Sequence, residues 1–222
     1  MKLLAIDAAL GPFSAALDLD GAVTADRSEC NDALEAGLGR VADLLERAGV
    51  ALNQLDRIAV GVGPGSFTGI RIALSYAKAL AFGANLPLVG ISSYDVLTGC
   101  EGVEPSLTVI SGRPGIICAR LHSAGTTLVA CGAAATVVER IAPYLEPNCS
   151  LTVFGAQDVL HGLDERLLPA GRRVAVTLPN AAIVVARLAR ERRPAPSPHS
   201  VAPDYGELPA VTVPKAGTKI TP

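Results

Sequence analysis

The stretch that decides the fold is RIAVGVGPGSFTGIRIALSYAKALAFG, residues 57–83. Its first part, residues 57–62, is short and apolar, which predicts a buried strand. Its last part, residues 70–82, has the composition of a helix, and Gly83 supplies a stop. Four glycines accompany them: Gly61 lies near the end of the strand, and Gly63, Gly65 and Gly69 lie between the strand and the helix. The stretch therefore predicts a strand, a glycine loop (residues 63–69) and a helix.

The same kinds of element extend outward in both directions. Upstream, the pattern predicts strands at 3–7, 13–19 and 23–27 and a helix at 33–48. Downstream, it predicts a strand at 86–91, a short helix capped by Ser92 and running through residue 97, strands at 107–110, 116–122, 127–131 and 151–154, helices at 137–145, about 158–168 and 180–193, and a proline-rich extended surface tail at 194–222. The order is that of an α/β protein with mixed sheets flanked by helices. A boundary near Pro105 divides it into predicted lobes at 1–104 and 105–222.

Composition excludes several classes of protein. The chain has 222 residues, 50% of them hydrophobic, and a formal net charge of -2, so it has no cation excess for autonomous RNA or membrane binding. Its five cysteines (Cys30, Cys100, Cys118, Cys131 and Cys149) include no C-x-x-C pair. Asp7 interrupts the first apolar run too early for a signal peptide, and no later run is long enough to span a membrane. We expect a cytoplasmic protein.

The glycine loop is the first candidate site, because a helix N-terminus behind a glycine-rich turn can bind an anion. Asp7, Gly63, Gly65 and Ser66 are the candidates for contact with nucleotide phosphate. The loop has neither a G-K-[ST] ending nor a G-x-G-x-x-G spacing. Asp7 at the end of the first strand could hold phosphate-bound magnesium through water, or could simply close a turn.

No catalytic or metal site is predicted. A serine nucleophile at Ser66 would need glycines at positions that Pro64 and Thr68 occupy. The three histidines are widely separated, and no Cys/His cluster has metal-ligand spacing.

The two long helices of the first half suggest a protein-binding surface. Helix 70–82 has one apolar stripe for the sheet (Ile70, Ala73, Leu74, Ala77 and Ala81) and a second, offset stripe that needs cover (Ile72, Tyr76 and Ala79). Helix 33–48 has a stripe predicted to face the core (Leu34, Leu38, Val41 and Leu45) and a thin flank of small residues (Ala33, Ala36 and Gly37). The pattern predicts a close helix-to-helix interface with a partner. Burial under the chain's own second half is the alternative.

Four segments resemble the TsaB family, also called YeaZ: LAID at residues 4–7, SAAL at 14–17, GPGSFTGIRI at 63–72 and LPLVGISS at 86–93. The resemblance covers the first half well and the second in outline. It implies a two-lobed actin-like ATPase fold, of the ASKHA, ribonuclease H-like type. It also implies a non-catalytic scaffolding subunit that forms a heterodimer with the enzyme TsaD, supports TsaE binding, and acts in threonylcarbamoylation of the tRNA adenosine 3′ of the anticodon.

Further expectations follow from this resemblance. The chain would contact tRNA only through the complex. It would need no cofactor of its own, while the assembled complex could bind ATP or ADP and Mg. It could form a homodimer when TsaD is absent. The residues assigned to the partner face are Ala33, Ala36, Gly37, Arg40, Ser66, Phe67, Thr68, Arg71, Ile72, Tyr76 and Ala79.

Two departures from the family pattern weaken a nucleotide role. Ala8 follows Asp7 where relatives often have threonine, and Ser111 stands where the second half usually has an acid. Independent nucleotide hydrolysis is therefore not expected. A third departure is in the tail, which reads Tyr205-Gly206-Glu207 in place of Tyr-Leu-Arg, so the role of that arginine cannot be carried over. An autonomous nucleotide-binding switch and a glycoprotease-like peptidase stay as alternative functions.

Overall fold

A computed structural model describes residues 1–29, 33–99, 104–145, 151–161 and 172–206, with the backbone alone at 172 and 173. The first lobe is built on a five-stranded mixed sheet in the order β3-β2-β1-β4-β5. Its strands are β1 (Lys2–Asp7), β2 (Ser14–Leu19), β3 (Ala22–Arg27), β4 (Arg57–Gly63) and β5 (Leu88–Ser92). The first three strands form an antiparallel meander, and β4 and β5 run parallel to β1. The mixed sheet predicted from the sequence is confirmed.

Three helices follow strands of this lobe: α1 (Ala33–Ala48), α2 (Phe67–Gly83) and α3 (Ser93–Thr98). The predicted bounds of α1 are confirmed. Helix α2 begins three residues earlier than predicted, because the Ser66 hydroxyl accepts a hydrogen bond from the Gly69 N–H and caps the first turn. Ser92 caps α3 as predicted, by accepting from the Tyr94 N–H.

The second lobe repeats the topology of the first. Its sheet has the order β10-β9-β6-β7-β8, with β6 (Ser106–Ser111), β7 (Ile117–Ser123), β8 (Thr126–Gly132), β9 (Thr152–Gly155) and β10 (Arg172–Ala175). Read from the other edge, this is the order of the first sheet. Its helices are α4 (Ala134–Ile141), which continues as a 3₁₀ turn (Ala142–Tyr144), and α5 (Gln157–His161). The sequence prediction missed β10, and the rest of the helix predicted at 158–168 lies outside the described residues.

The C-terminal part of the chain returns to the first lobe, which differs from the predicted division at 104/105. Helix α6 (Ala181–Ala189) buries Ala182, Val185 and Ala189 against the first sheet. Beyond it, residues 194–206, which we name the strap, follow the edge of β5, where the Ala195 N–H donates to the Leu88 carbonyl at 2.9 Å. Both α6 and the strap therefore pack on the first lobe, although they follow the second lobe in the chain.

The strap is not the surface tail that the sequence predicted. Val201 is buried in the core of the first lobe, and the Asp204 N–H donates to the Val62 carbonyl at 2.8 Å. The remainder of the predicted tail, residues 207–222, lies outside the described residues.

The two lobes share an apolar contact around α3. Tyr94 and Leu97 pack against Ile110 and Cys118 of the second sheet. Beside them an Arg120 nitrogen lies 2.7 Å from an Asp95 carboxylate oxygen. Across the described ranges, no helix is both long and apolar enough to span a membrane.

Candidate functional site: the glycine loop and the helix pair

The glycine loop packs against the chain's own backbone at the turn after β1. The Ser66 N–H donates to the Ala9 carbonyl at 2.9 Å. A Cβ atom at Gly65 would overlap the same carbonyl, and one at Gly69 would overlap the carbonyl of Ala8. Glycine is therefore needed here for a close backbone approach. The Ser66 N–H, one of the groups that could bind an anion, therefore already has the Ala9 carbonyl as its acceptor.

The strap closes the loop from its other side. Gly63 has a φ of +98°, and a Cβ there would overlap the Asp204 carbonyl and the Ile70 side chain. The candidate phosphate-binding glycines Gly63 and Gly65 are thus both in contact with other parts of the chain. No local pattern in the sequence indicates this contact, because the strap lies about 140 residues downstream.

Asp7, the remaining nucleotide candidate, is an interior group. Its carboxylate is 0% exposed, Oδ1 accepts from the Leu10 N–H at 3.2 Å, and Oδ2 has no hydrogen-bond partner among the described residues. A Cβ at Gly61 would overlap Oδ2, so glycine there makes room for the acid. Burial raises the pKa of Asp7 from 3.8 to about 6, against the lowering effect of the Leu10 and Ala9 N–H groups.

A cleft of about 480 Å³ lies between the lobes, where the turn after β1 faces the ends of β6 and β9. Ser111 lines it, whereas Asp7 does not. Asp158 is the one ionisable side chain among the described lining residues, so no lysine or arginine in that part of the chain offers a positive charge to a polyphosphate.

Ser66 is used for structure, since its hydroxyl caps α2. Within the described ranges no group of three or more His, Cys, Asp or Glu side chains could hold a metal ion.

Helices α1 and α2 lie side by side and are joined through Tyr76. Its hydroxyl donates to the Leu34 carbonyl at 2.7 Å, and its ring meets the edge of Phe13 at a centroid separation of 6.3 Å. Gly37 lies beneath both rings, and a Cβ there would come within 3.0 Å of Tyr76 and 3.1 Å of Phe13. Gly37 and Tyr76 therefore hold the pair together from within.

The apolar stripe predicted for α1 is right at Val41, which is buried, and at Leu45, which packs against the core, but wrong at Leu34 and Leu38. Leu34 and Leu38 are 64% and 45% exposed, and the residues of α1 that are buried are Gly37, Val41 and Leu44. The cause is Phe13, which packs on the side of α1 where Gly37 leaves space. On α2 the stripe predicted to face the sheet (Ile70, Ala73, Leu74, Ala77 and Ala81) is buried, as expected.

The residues assigned to the partner face differ in exposure. Ser66, Phe67, Thr68, Arg71 and Ala79 are exposed, Ala33, Ala36, Arg40, Ile72 and Tyr76 are half-buried, and Gly37 is buried. Phe67 is 57% exposed, and its ring centroid lies 4.9 Å from that of Tyr205. The Arg71 guanidinium lies 5.3 Å from the centroid of the Phe67 ring. Sequence reasoning missed that Leu34 and Leu38 are exposed on the same pair of helices.

The fold and the site define a two-lobed α/β protein of the actin-like ATPase type, with a glycine loop closed by its own backbone. The family model described as TsaD: tRNA N6-adenosine threonylcarbamoyltransferase matches residues 35–161, more than half of the chain. The chain belongs to this family, and its similarity to TsaB and YeaZ proteins places it in the TsaB/YeaZ group.

Three relatives support this placement. The tRNA threonylcarbamoyladenosine biosynthesis protein TsaB of Escherichia coli K12 is 43% identical over 46% of this chain and 44% of its own length. The protein of the same name from Haemophilus influenzae is 39% identical over 42% of this chain and 40% of its own. The solved structure of YeaZ from Pseudomonas aeruginosa has a TM-score of 0.69 at 26% identity, covering 92% of this chain and 99% of that one. The match spans less than half the length of the curated relatives.

Proposed function

We propose that this chain is a non-catalytic scaffolding subunit in the synthesis of tRNA threonylcarbamoyladenosine, the modified adenosine 3′ of the anticodon. It binds a TsaD-type catalytic subunit through α1 and α2, and the heterodimer supports TsaE. The names of the TsaB relatives support the pathway. With a net charge of -2, the chain would depend on the complex for contact with tRNA.

The observation that carries the proposal is the exposure of large apolar side chains on the helix pair. Leu34 and Leu38 lie one helical turn apart on α1, and Phe67 starts α2. The two leucines form an exposed apolar patch on α1, and such patches are typical of binding surfaces, since burying them gives about 25 cal/mol per Å². The family match spans nearly all of α1 and the whole of α2, so a TsaD-type subunit would bring related helices to the contact.

Leu38→Glu tests the placement of this surface. We expect the variant to bind TsaD from the same organism at least about tenfold more weakly, which is about 1.4 kcal/mol, because a charge would be buried in an apolar contact. Ile183→Glu is the matched control, since Ile183 is 40% exposed and lies on α6, away from the helix pair. Sedimentation velocity and calorimetry measure both affinities, and circular dichroism checks folding.

Equal affinities for the two variants would refute the assignment of this face. The same sedimentation series without TsaD examines self-association, since a homodimer that uses α1 and α2 would also dissociate in Leu38→Glu and persist in Ile183→Glu.

The size of the interlobe cleft, about 480 Å³, leaves room for one alternative, an autonomous nucleotide-binding switch. The described residues that line it include no lysine or arginine to bind a polyphosphate, which speaks against this function. Calorimetry of the isolated chain with ATP and Mg²⁺ separates the two proposals, because a scaffold of this kind gives no binding heat and a switch gives a saturating one. The peptidase alternative has less support, because Ser66 caps α2.

A further inference from the structure

Two cysteines lie directly opposite each other on the second sheet, where Cys118 of β7 pairs with Cys131 of β8. A two-residue turn joins the strands, so the flanking pair Ser123 and Thr126 is a hydrogen-bonded pair, and the pairs alternate from there. Five steps along, Cys118 and Cys131 form a non-hydrogen-bonded pair, for which the Cα atoms are about 4.5 Å apart. This lies within the Cα separation that a disulfide bridges.

Both sulfur atoms also lie beside Gly206 of the strap, on the side where any other residue would carry its side chain. A Cβ at Gly206 would overlap Cys118 Sγ and lie 2.9 Å from Cys131 Sγ. Cys118 is 1% exposed, whereas Cys131 is half-buried at the margin of the apolar contact between the lobes. Tyr94 faces the pair, and its pKa is raised first by burial and then by the neighbouring Cys131 and Cys118. The cysteines therefore share one small compartment.

We propose that Cys118 and Cys131 form a dithiol site that a low-molecular-weight disulfide oxidises to an intramolecular disulfide, with the strap at Gly206 as its cover. The more exposed Cys131 thiolate attacks the small disulfide, forms a mixed disulfide and releases one small thiol. The Cys118 thiolate then attacks the Cys131 sulfur and releases the second. The two cysteine protons pass to the two small thiols, and the oxidant takes up two electrons. This inference does not depend on the proposed scaffold function.

The strap must lift for the first step. Gly206 has a φ of +72° and its backbone lies against both sulfur atoms, so a mixed disulfide on Cys131 has no room beneath it. Gly206→Ala adds a methyl group that overlaps the Cys118 sulfur, in a conformation that alanine rarely adopts. The substitution should therefore displace the strap and speed oxidation.

The test exposes the full-length folded chain to oxidised glutathione, blocks the remaining thiols and maps the peptides without reduction by mass spectrometry. We expect a Cys118–Cys131 link, with loss of two hydrogens and two alkylatable thiols. Cys131→Ser should abolish the link and Cys149→Ser should keep it. A mixed disulfide that stays on Cys131, pairing with another cysteine, or no reaction would each overturn the proposal, provided circular dichroism shows a folded chain.

Gly206→Ala tests the cover separately. We expect its link to form at least about tenfold faster than in the wild type, because lifting the strap no longer limits access. An unchanged rate would refute the role of the strap. Ala202→Gly, at an exposed strap position, is the control for general loosening of this segment.

Discussion

Replacing Asp7 with asparagine tests whether this acid is a buried structural group. Burial raises its pKa from 3.8 to about 6, so the native state binds the proton more tightly than the unfolded state does. Protonation therefore stabilises the fold, fully below the unfolded pKa of 3.8, and this stability is lost as pH rises through about 6. The whole effect is about 3 kcal/mol, of which about 1.4 kcal/mol falls between about pH 5 and about pH 7.

The assay is urea denaturation of both proteins at these two pH values. Because asparagine does not titrate, the wild type should lose about 1.4 kcal/mol of unfolding free energy relative to Asp7→Asn as the pH rises. Asp158→Asn, which removes an exposed carboxyl, reports the general effect of one lost negative charge. A difference between wild type and Asp7→Asn that is the same at both pH values would refute the reasoning. Asp7 would then be a solvated acid, open to a metal or phosphate role.

Two further predictions concern packing. Gly61→Ala should lower the unfolding free energy by about 1–3 kcal/mol, because the added methyl group overlaps the Asp7 carboxylate. Gly83→Ala is the control, since a Cβ there meets open space and should leave the unfolding free energy unchanged. Equal urea midpoints for the two variants would contradict the contact between Gly61 and Asp7. Val201→Ala should lower the unfolding free energy by about 1–2 kcal/mol, because it removes buried methyl groups, and should increase hydrogen exchange at the Asp204 amide. Val23→Ala, at an exposed site, should leave the unfolding free energy and the exchange rate unchanged. Unaltered exchange at Asp204 in the first of these variants would show that Val201 does not anchor the strap.

Local signals in the sequence were enough to predict most elements. The run from β4 through the glycine loop to α2 combines apolar composition, glycines and a helix stop within 27 residues, so its three parts could be assigned from neighbours in the chain. The same holds for α1, whose predicted bounds are those observed, and for α3 with its Ser92 cap. The mixed sheets and the repeated order of elements also followed, because strand and helix patterns depend on nearby residues.

The candidate site was less predictable. The sequence indicated that something packs closely on the glycine loop, and it assigned a partner surface to the two helices. Helical period shows which residues share a face, but it does not show which way that face turns, so Leu34 and Leu38 were placed in the core. The orientation depends on Phe13, which occupies the space above Gly37.

By itself, then, the sequence determined the kinds of element, their order and the apolar face of α2, since each of these depends on residues close together in the chain. The tertiary structure alone decided that α6 returns to the first sheet, that the strap covers the glycine loop, that Asp7 is interior and that Cys118 and Cys131 meet beneath Gly206. These contacts join segments far apart in the chain. Such contacts depend on shape and burial in three dimensions, and a single sequence carries no local periodicity that reports them.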